Sequence, residues 1–201
     1  SIIVAVDVRS AGKLFKKSPQ LKRIHRNIRN FKGNPSVIIR TFWKNAPAKN
    51  YSESSGLTGD AVSDLCFWIH RFQDEFKENW HKKTGGGVSE THIYSDRELF
   101  KYSNSRLKEI AAAEIEKIWP EVKGSSIYST IVRNPASHFN FPPGSGKNIP
   151  RVNTGIDNIY LSGDWVEGDS PVFCMERASL TATLAANEII KKKDLNCLKM
   201  R

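Results

Sequence analysis

Three features of the chain predict a mixed α/β fold. Near its end a short apolar strand, Ile159–Leu161, runs through a turn at Gly163 into an Ala-rich helical stretch from Phe173 to Ile190. Earlier, strand-like segments are separated by one clear helix without regular strand-helix alternation, the pattern of a mainly antiparallel sheet covered by helices. No apolar run approaches the length that crosses a bilayer, while 39% hydrophobic residues in a chain of 201 suffice for one or two domains with a core.

In chain order, residues 1–8 (SIIVAVDV) read as a buried strand, too short for a secretory leader and carrying an acid at Asp7. Lys13, Lys16, Lys17, Lys22, Arg23, Arg26, Arg29 and Lys32 then interleave with apolar residues, of which Leu21, Ile24, Ile28 and Phe31 recur at helical spacing. A basic amphipathic helix of this kind either lies on an anionic membrane surface or keeps its charges in water. Residues 36–46 read as a strand, and the polar loop 47–59 contains the sequon Asn50-Tyr51-Ser52. The stretch 64–87 is dense in aromatics: Phe67, Trp68, Phe72, Phe76 and Trp80 either line an apolar cleft or form an ordinary core. Val88–Tyr94 alternates like a strand. Arg106–Trp119 is an amphipathic helix with Leu107, Ile110, Ala111, Ile115 and Ile118 on one face and Pro120 as its stop, and Ile127–Arg133 is a further strand.

The strand, turn and helix at 159–190 carry the chemistry. Gly163 permits a turn that leaves Asp164 at the strand's carboxyl end, where α/β sheets bind ligands and where a carboxylate suits a ribose or ribityl hydroxyl. The helix beyond it ends in Lys191, Lys192 and Lys193, which suit its dipole, while its amino end around Cys174–Ala178 offers N–H groups to an anion. A reduced flavin is such an anion.

The run Asn158-Ile-Tyr-Leu-Ser-Gly-Asp-Trp165, followed by Cys174-Met-Glu-Arg-Ala178 and then Leu184-Ala-Ala-Asn-Glu-Ile-Ile190, resembles the carboxyl-terminal flavin motif of the FAD-dependent amine oxidase and carotenoid desaturase superfamily. Its Gly-Asp-Trp form is similar to that of the carotene desaturase branch. Arg177 stands where many members have a small residue, and Ser162 replaces the usual Ala. The resemblance implies FAD as cofactor, held by Gly163, Asp164, Trp165, Cys174, Met175 and Glu176. Asp164 would meet the ribityl or phosphate region, and the backbone at Met175 would approach the flavin ring. It implies a Rossmann-like cofactor domain in pieces, with a strand at 1–12, an antiparallel substrate domain at 13–138, the returning cofactor segment at 139–193 and a tail at 194–201. No Gly-x-Gly-x-x-Gly follows a strand here, so the resemblance is to a carboxyl-terminal portion. The implied reaction is desaturation or isomerisation of a long apolar polyene by hydride transfer to flavin, with no catalytic acid or base among the side chains. Oxidation beside an amine nitrogen is the alternative.

Other classes fit less well. The formal charge of +10 and the basic stretch allow a non-enzymatic nucleic-acid or membrane binder. However, no helix-turn-helix, zinc-finger or RNA-binding signature accompanies the charge, so no nucleic-acid partner is expected. Peripheral contact with an anionic membrane through 13–32 stays open beside a charged face kept in water. Gly144-Ser-Gly-Lys147 is no phosphate loop, because Phe141 and Asn148 occupy required positions, and no Gly-x-Ser-x-Gly elbow exists. Cys66 and His70 at helical spacing, with His81 and His92, make a weak metal set, and no metal is expected. Three cysteines leave one unpaired in any disulfide scheme, which favours a reducing, plastid-like or cytoplasmic compartment over secretion.

Overall fold

The computed structural model describes residues 1–48, 51–94, 98–141, 143–172 and 174–192, without the side chains of 136–138 and 140. Asn50 of the sequon, Phe173 at the expected helix start, and Lys193 and Cys197 toward the end lie outside the described residues. The chain forms two units, one from residues 1–34 and 136 onward, the other from 35–135. It passes between them along two long strands.

In the first unit β1 (Ile2–Val4) pairs in parallel with β7 (Ile159–Leu161), Val4 opposite Leu161. Only Val4 of β1 is buried, and Ile2 is 61% exposed, so the strand expected to be buried is short and mostly open. Asp7 caps α1 (Val8–Lys16) by accepting from the Arg9 and Ser10 backbone N–H groups, and these bonds hold its carboxyl below the usual range although burial opposes them. A turn begun by Pro19 leads to α2 (Lys22–Ile28). Val8, Ala11 and Phe15 of α1, with Leu21, Ile24, Ile28 and Phe31, join Tyr160, Leu161, Trp165 and Ala185 of the later segment in one core. The apolar set of residues 21–31, which left a membrane-lying or a solvated helix open, is therefore spent on the unit's own interior.

The second unit is a five-stranded sheet in the order β3-β4-β5-β2-β6, from β2 (Lys32–Trp43), β3 (Ser54–Gly56), β4 (Leu65–Trp68), β5 (Val88–Tyr94) and β6 (Ser126–Asn140). The β2/β5, β4/β5 and β3/β4 pairs are antiparallel, with Arg40 opposite Glu90 and Cys66 opposite Thr91. Because a strand alternates, Val37, Ile39 and Trp43 point to one face with Ile93, Cys66 and Trp68. There Leu107, Ala111 and Ile115 of the longest helix in this unit cover them. Two short helices, α3 (Asp74–Phe76) and α4 (Lys82–Thr84), flank a wider turn at Lys77–His81, and that longest helix is α5 (Asn104–Ile118), capped by Ser103. Residues 65–68 are strand, so the helical spacing of Cys66 and His70 does not apply: alternating burial and aromatic bulk outweigh helix propensity there. Both units together make the mixed α/β fold, with one parallel and one antiparallel sheet. No helix of the described residues is long and apolar enough to cross a membrane.

Candidate functional site

The first unit's last helix, α6 (Cys174–Lys191), is fixed against the end of β7 by two hydroxyls, Ser162 donating to the Ala178 carbonyl at 3.4 Å and Thr181 bonding the Gly163 backbone. Thr181, fully buried, accepts from the Gly163 N–H at 3.0 Å and donates to the Arg177 carbonyl at 2.9 Å. Gly163 sits at φ 147°, a backbone state that favours glycine, and an added Cβ would lie 2.7 Å from the Trp165 indole nitrogen. Trp165 fills the core beneath the turn and donates Nε1–H to the Val6 carbonyl at 2.7 Å. Asp164 is thus held half-buried at the strand's carboxyl edge, on the same cavity wall as the first turn of α6.

That cavity, about 260 Å³, is lined by Phe139, Phe141, Ile149, Asp164, Cys174 and Arg177. Arg177 donates Nε–H to the Val172 carbonyl at 2.7 Å and lays its guanidinium 4.8 Å from the Phe141 ring centroid. The cavity therefore presents an apolar, aromatic wall, one acceptor carboxylate, a fixed cation and a helix amino terminus. Cys174 opens the helix at φ 54°. Partial desolvation at the cavity wall, then the charges of Asp164 and Glu176, push its thiol up, so it stays protonated and is a poor nucleophile near neutrality.

Of the residues expected from the sequence, Asp164 and Cys174 line the cavity, and Gly163 shapes the turn beside it. Trp165 supports from below, while Met175, 81% exposed, and Glu176 lie on the outer side of the first helical turn. Sequence reasoning missed Thr181, Phe139, Ile149 and Phe141 as parts of the site. Their signal is positional only: Thr181 sits one helical turn after Arg177, and the aromatics close β6.

The second unit carries an aromatic surface of its own on the sheet face turned away from α5. Phe42 packs against Phe76 (6.1 Å between centroids), Trp80 (5.1 Å) and Tyr128 (6.3 Å). On this face Arg40 binds Glu90 at 2.6 Å, Glu90 binds His92 Nε2 at 2.9 Å, and Tyr94 meets His92 Nδ1 at 2.6 Å. His92 and Arg40 hold the Glu90 carboxyl low against the opposing effect of burial. Among the aromatics expected to line a cleft, Phe67, Phe76 and Trp80 belong to this face, Trp68 is core, and Phe72 projects to solvent. Among the described residues no three His, Cys, Asp or Glu side chains converge as a metal site.

Comparison with known proteins agrees with this geometry. Residues 1–190 match the family of flavin-containing amine oxidoreductases. The chain belongs to that family. It is 32% identical over 139 residues, 69% of this chain and 21% of the relative, to the carotenoid phi-ring synthase of Chlorobaculum tepidum. It is 24% identical over 195 residues, 96% of this chain and 37% of the relative, to the carotenoid phi-ring synthase of Streptomyces griseus. The chain thus spans about a fifth and somewhat over a third of those relatives. The same fold occurs in cyclohexylamine oxidase from Brevibacterium oxydans (TM-score 0.72, 10% identity, 96% of this chain and 43% of that one). It also occurs in reduced UDP-galactopyranose mutase (TM-score 0.66, 11% identity, 96% and 41%). The family is one of flavoprotein oxidoreductases, and the residues on the cavity wall suit a flavin: an acceptor for hydroxyls, donors and positive charge for an anionic edge, and apolar faces for a ring. At 260 Å³ the cavity falls just below the range of whole-ligand pockets, roughly 300 Å³ and above.

Proposed function

We propose that the chain is part of an FAD-dependent oxidoreductase acting on a long polyene: desaturation passes a hydride from an allylic carbon to the flavin and a proton from the neighbouring carbon to water, and isomerisation returns the hydride to the polyene. One observation carries this reading: the buried Thr181 hydroxyl ties the backbone at Gly163 to α6, so that Asp164, the next residue, and the first turn of the helix share one cavity wall. When bound, FAD supplies the hydride acceptor. The chain's residues then bind, orient and tune. Asp164 accepts from ribityl hydroxyls. The first turn of α6 and the Arg177 guanidinium favour negative charge at the adjacent edge, which raises the potential of a flavin held there. Arg177 is fixed by Val172 and Phe141 before any ligand arrives, so no reorganisation is needed when charge develops.

The substrate class rests on the carotenoid names of both relatives, and the half-exposed Phe42, Phe76 and Trp80 surface fits an extended apolar chain. The test is retention of flavin absorbance after gel filtration with added FAD, for the chain alone and joined to the segments its longer relatives carry. Retention should fall at least about tenfold in Asp164→Ala, the loss of one charge-assisted hydrogen bond. Anaerobic addition of polyene in detergent should then bleach the oxidised flavin, whereas a primary amine should not. Flavin loss in both forms overturns the family chemistry for this chain, and bleaching by the amine alone assigns the alternative reaction.

A further inference from the structure

We infer that α1 and α2 form an electrostatic docking surface for an anionic lipid bilayer, one that uses charge and a single shallow leucine. The inference stands independently of the flavin site. From Val8 to Ser52 the chain contains no Asp or Glu, yet Arg9, Lys13, Lys16, Lys17, Lys22, Arg23, Arg26, Arg29 and Lys32 all lie within this span. All nine are exposed, and among the described residues none forms an ion pair with a carboxylate.

Their spacing is ordered. On α1, Arg9, Lys13 and Lys16 recur at i, i+4, i+7, opposite the buried Val8, Ala11 and Phe15. On α2 and its end, Lys22, Arg26 and Arg29 repeat that spacing, opposite the buried Leu21, Ile24 and Ile28. Each helix thus turns its apolar stripe into the core and its basic stripe outward. Cations left unpaired in this number repel one another, and an extended anionic surface lowers that penalty.

Two observations favour lipid over nucleic acid. Leu14 is 48% exposed on the flank of the α1 basic stripe, where an interfacial membrane contact can bury it and a phosphate backbone cannot. The aromatics of this segment, Phe15 and Phe31, are buried and offer no base a stacking platform. Because the apolar stripes are already spent, the contact is superficial and salt-sensitive.

Cosedimentation with phosphatidylcholine vesicles, alone and mixed with phosphatidylglycerol, tests this in low and high salt without flavin or substrate. Binding is expected only with phosphatidylglycerol and mostly lost in high salt, with Leu14→Asn removing the salt-resistant remainder. Each cation contributes about a fivefold gain in partitioning, so Lys16→Glu/Arg26→Glu should weaken binding by about 25-fold or more. Lys117→Glu/Lys123→Glu, an equal charge change on exposed sites of the second unit, should leave it within about twofold. Far-UV circular dichroism checks folding. If the reversal variant misfolds, Lys16→Gln/Arg26→Gln reads the same loss at smaller size. Equal binding to neutral vesicles, equal loss in the control, or displacement of the vesicles by duplex DNA at matched charge concentration would each overturn the proposal.

Discussion

His70 is an imidazole almost entirely removed from water, 1% exposed, between two elements of the second unit. Its Nδ1 lies 3.1 Å from the Val88 nitrogen and 3.3 Å from the Val88 carbonyl oxygen, and its Nε2 shares a 3.0 Å hydrogen bond with the Tyr51 hydroxyl. Burial first, then the charges of His81 and Arg71, push its pKa down to about 4 from 6.5, although the Val88 carbonyl opposes them. An unfolded chain takes up this proton near pH 6.5, and the folded one resists until about 4. Stability from this group is therefore full above pH 6.5 and lost as pH falls toward 4, by on the order of 3 kcal/mol. Denaturant titrations at pH 7 and 4.5 should show that loss, and His70→Gln should flatten it. A second single-residue prediction concerns Thr181. Thr181→Val keeps the shape but leaves the Gly163 N–H unpaired, costing about 1–3 kcal/mol in urea unfolding and loosening flavin retention. At this scale the site was half legible. Asp164 and Cys174 follow from a strand, a glycine turn and a helix start. Thr181, one Thr among several in a helix, carries its role only once the backbone of Gly163 lies beside it.

The elements themselves show why the sequence was readable in places. Val88–Tyr94 alternates cleanly because one face packs on α5 and the other does not, and its bounds match the expectation at both ends. The α5 helix is legible for the same reason, and Ile115→Ala should cost about 2–5 kcal/mol by opening a void among Trp43, Trp68 and Trp119, measurable as a lowered urea midpoint. The link from α4 to β5 obeys a different constraint. A Cβ at Gly86 would approach the Trp43 carbonyl to 2.2 Å, so Gly86→Ala should destabilise this unit by displacing backbone that no rotamer change can relieve. The aromatic run at 65–80 was less legible. Its members divide between a strand, a tight turn and a helix, and burial decides which face each takes. Residues 13–32 were open in a different way, since an amphipathic pattern reports an apolar face without saying whether protein or lipid covers it.

Across the whole molecule, charge is divided as unevenly as secondary structure. Lys and Arg exceed Asp and Glu by one in the second unit and by nine in the first, so nearly all of the net charge of +10 belongs to the unit holding the candidate flavin cavity. Repulsion within α1 and α2 then opposes folding of that unit at low ionic strength. Adding sodium chloride should raise its melting temperature by about a few degrees, and Lys16→Gln/Arg26→Gln should reduce the salt response. The distribution of tryptophan is equally uneven. Trp43, Trp68, Trp80 and Trp119 belong to the second unit, whereas Trp165 stands alone in the first, sealed beneath the turn that carries Asp164. A chain with those four replaced by phenylalanine would carry one tryptophan emitter, directly under the candidate flavin wall. Its quenching by an oxidised flavin would report occupancy of that wall as a loss of emission, without any assay of catalysis.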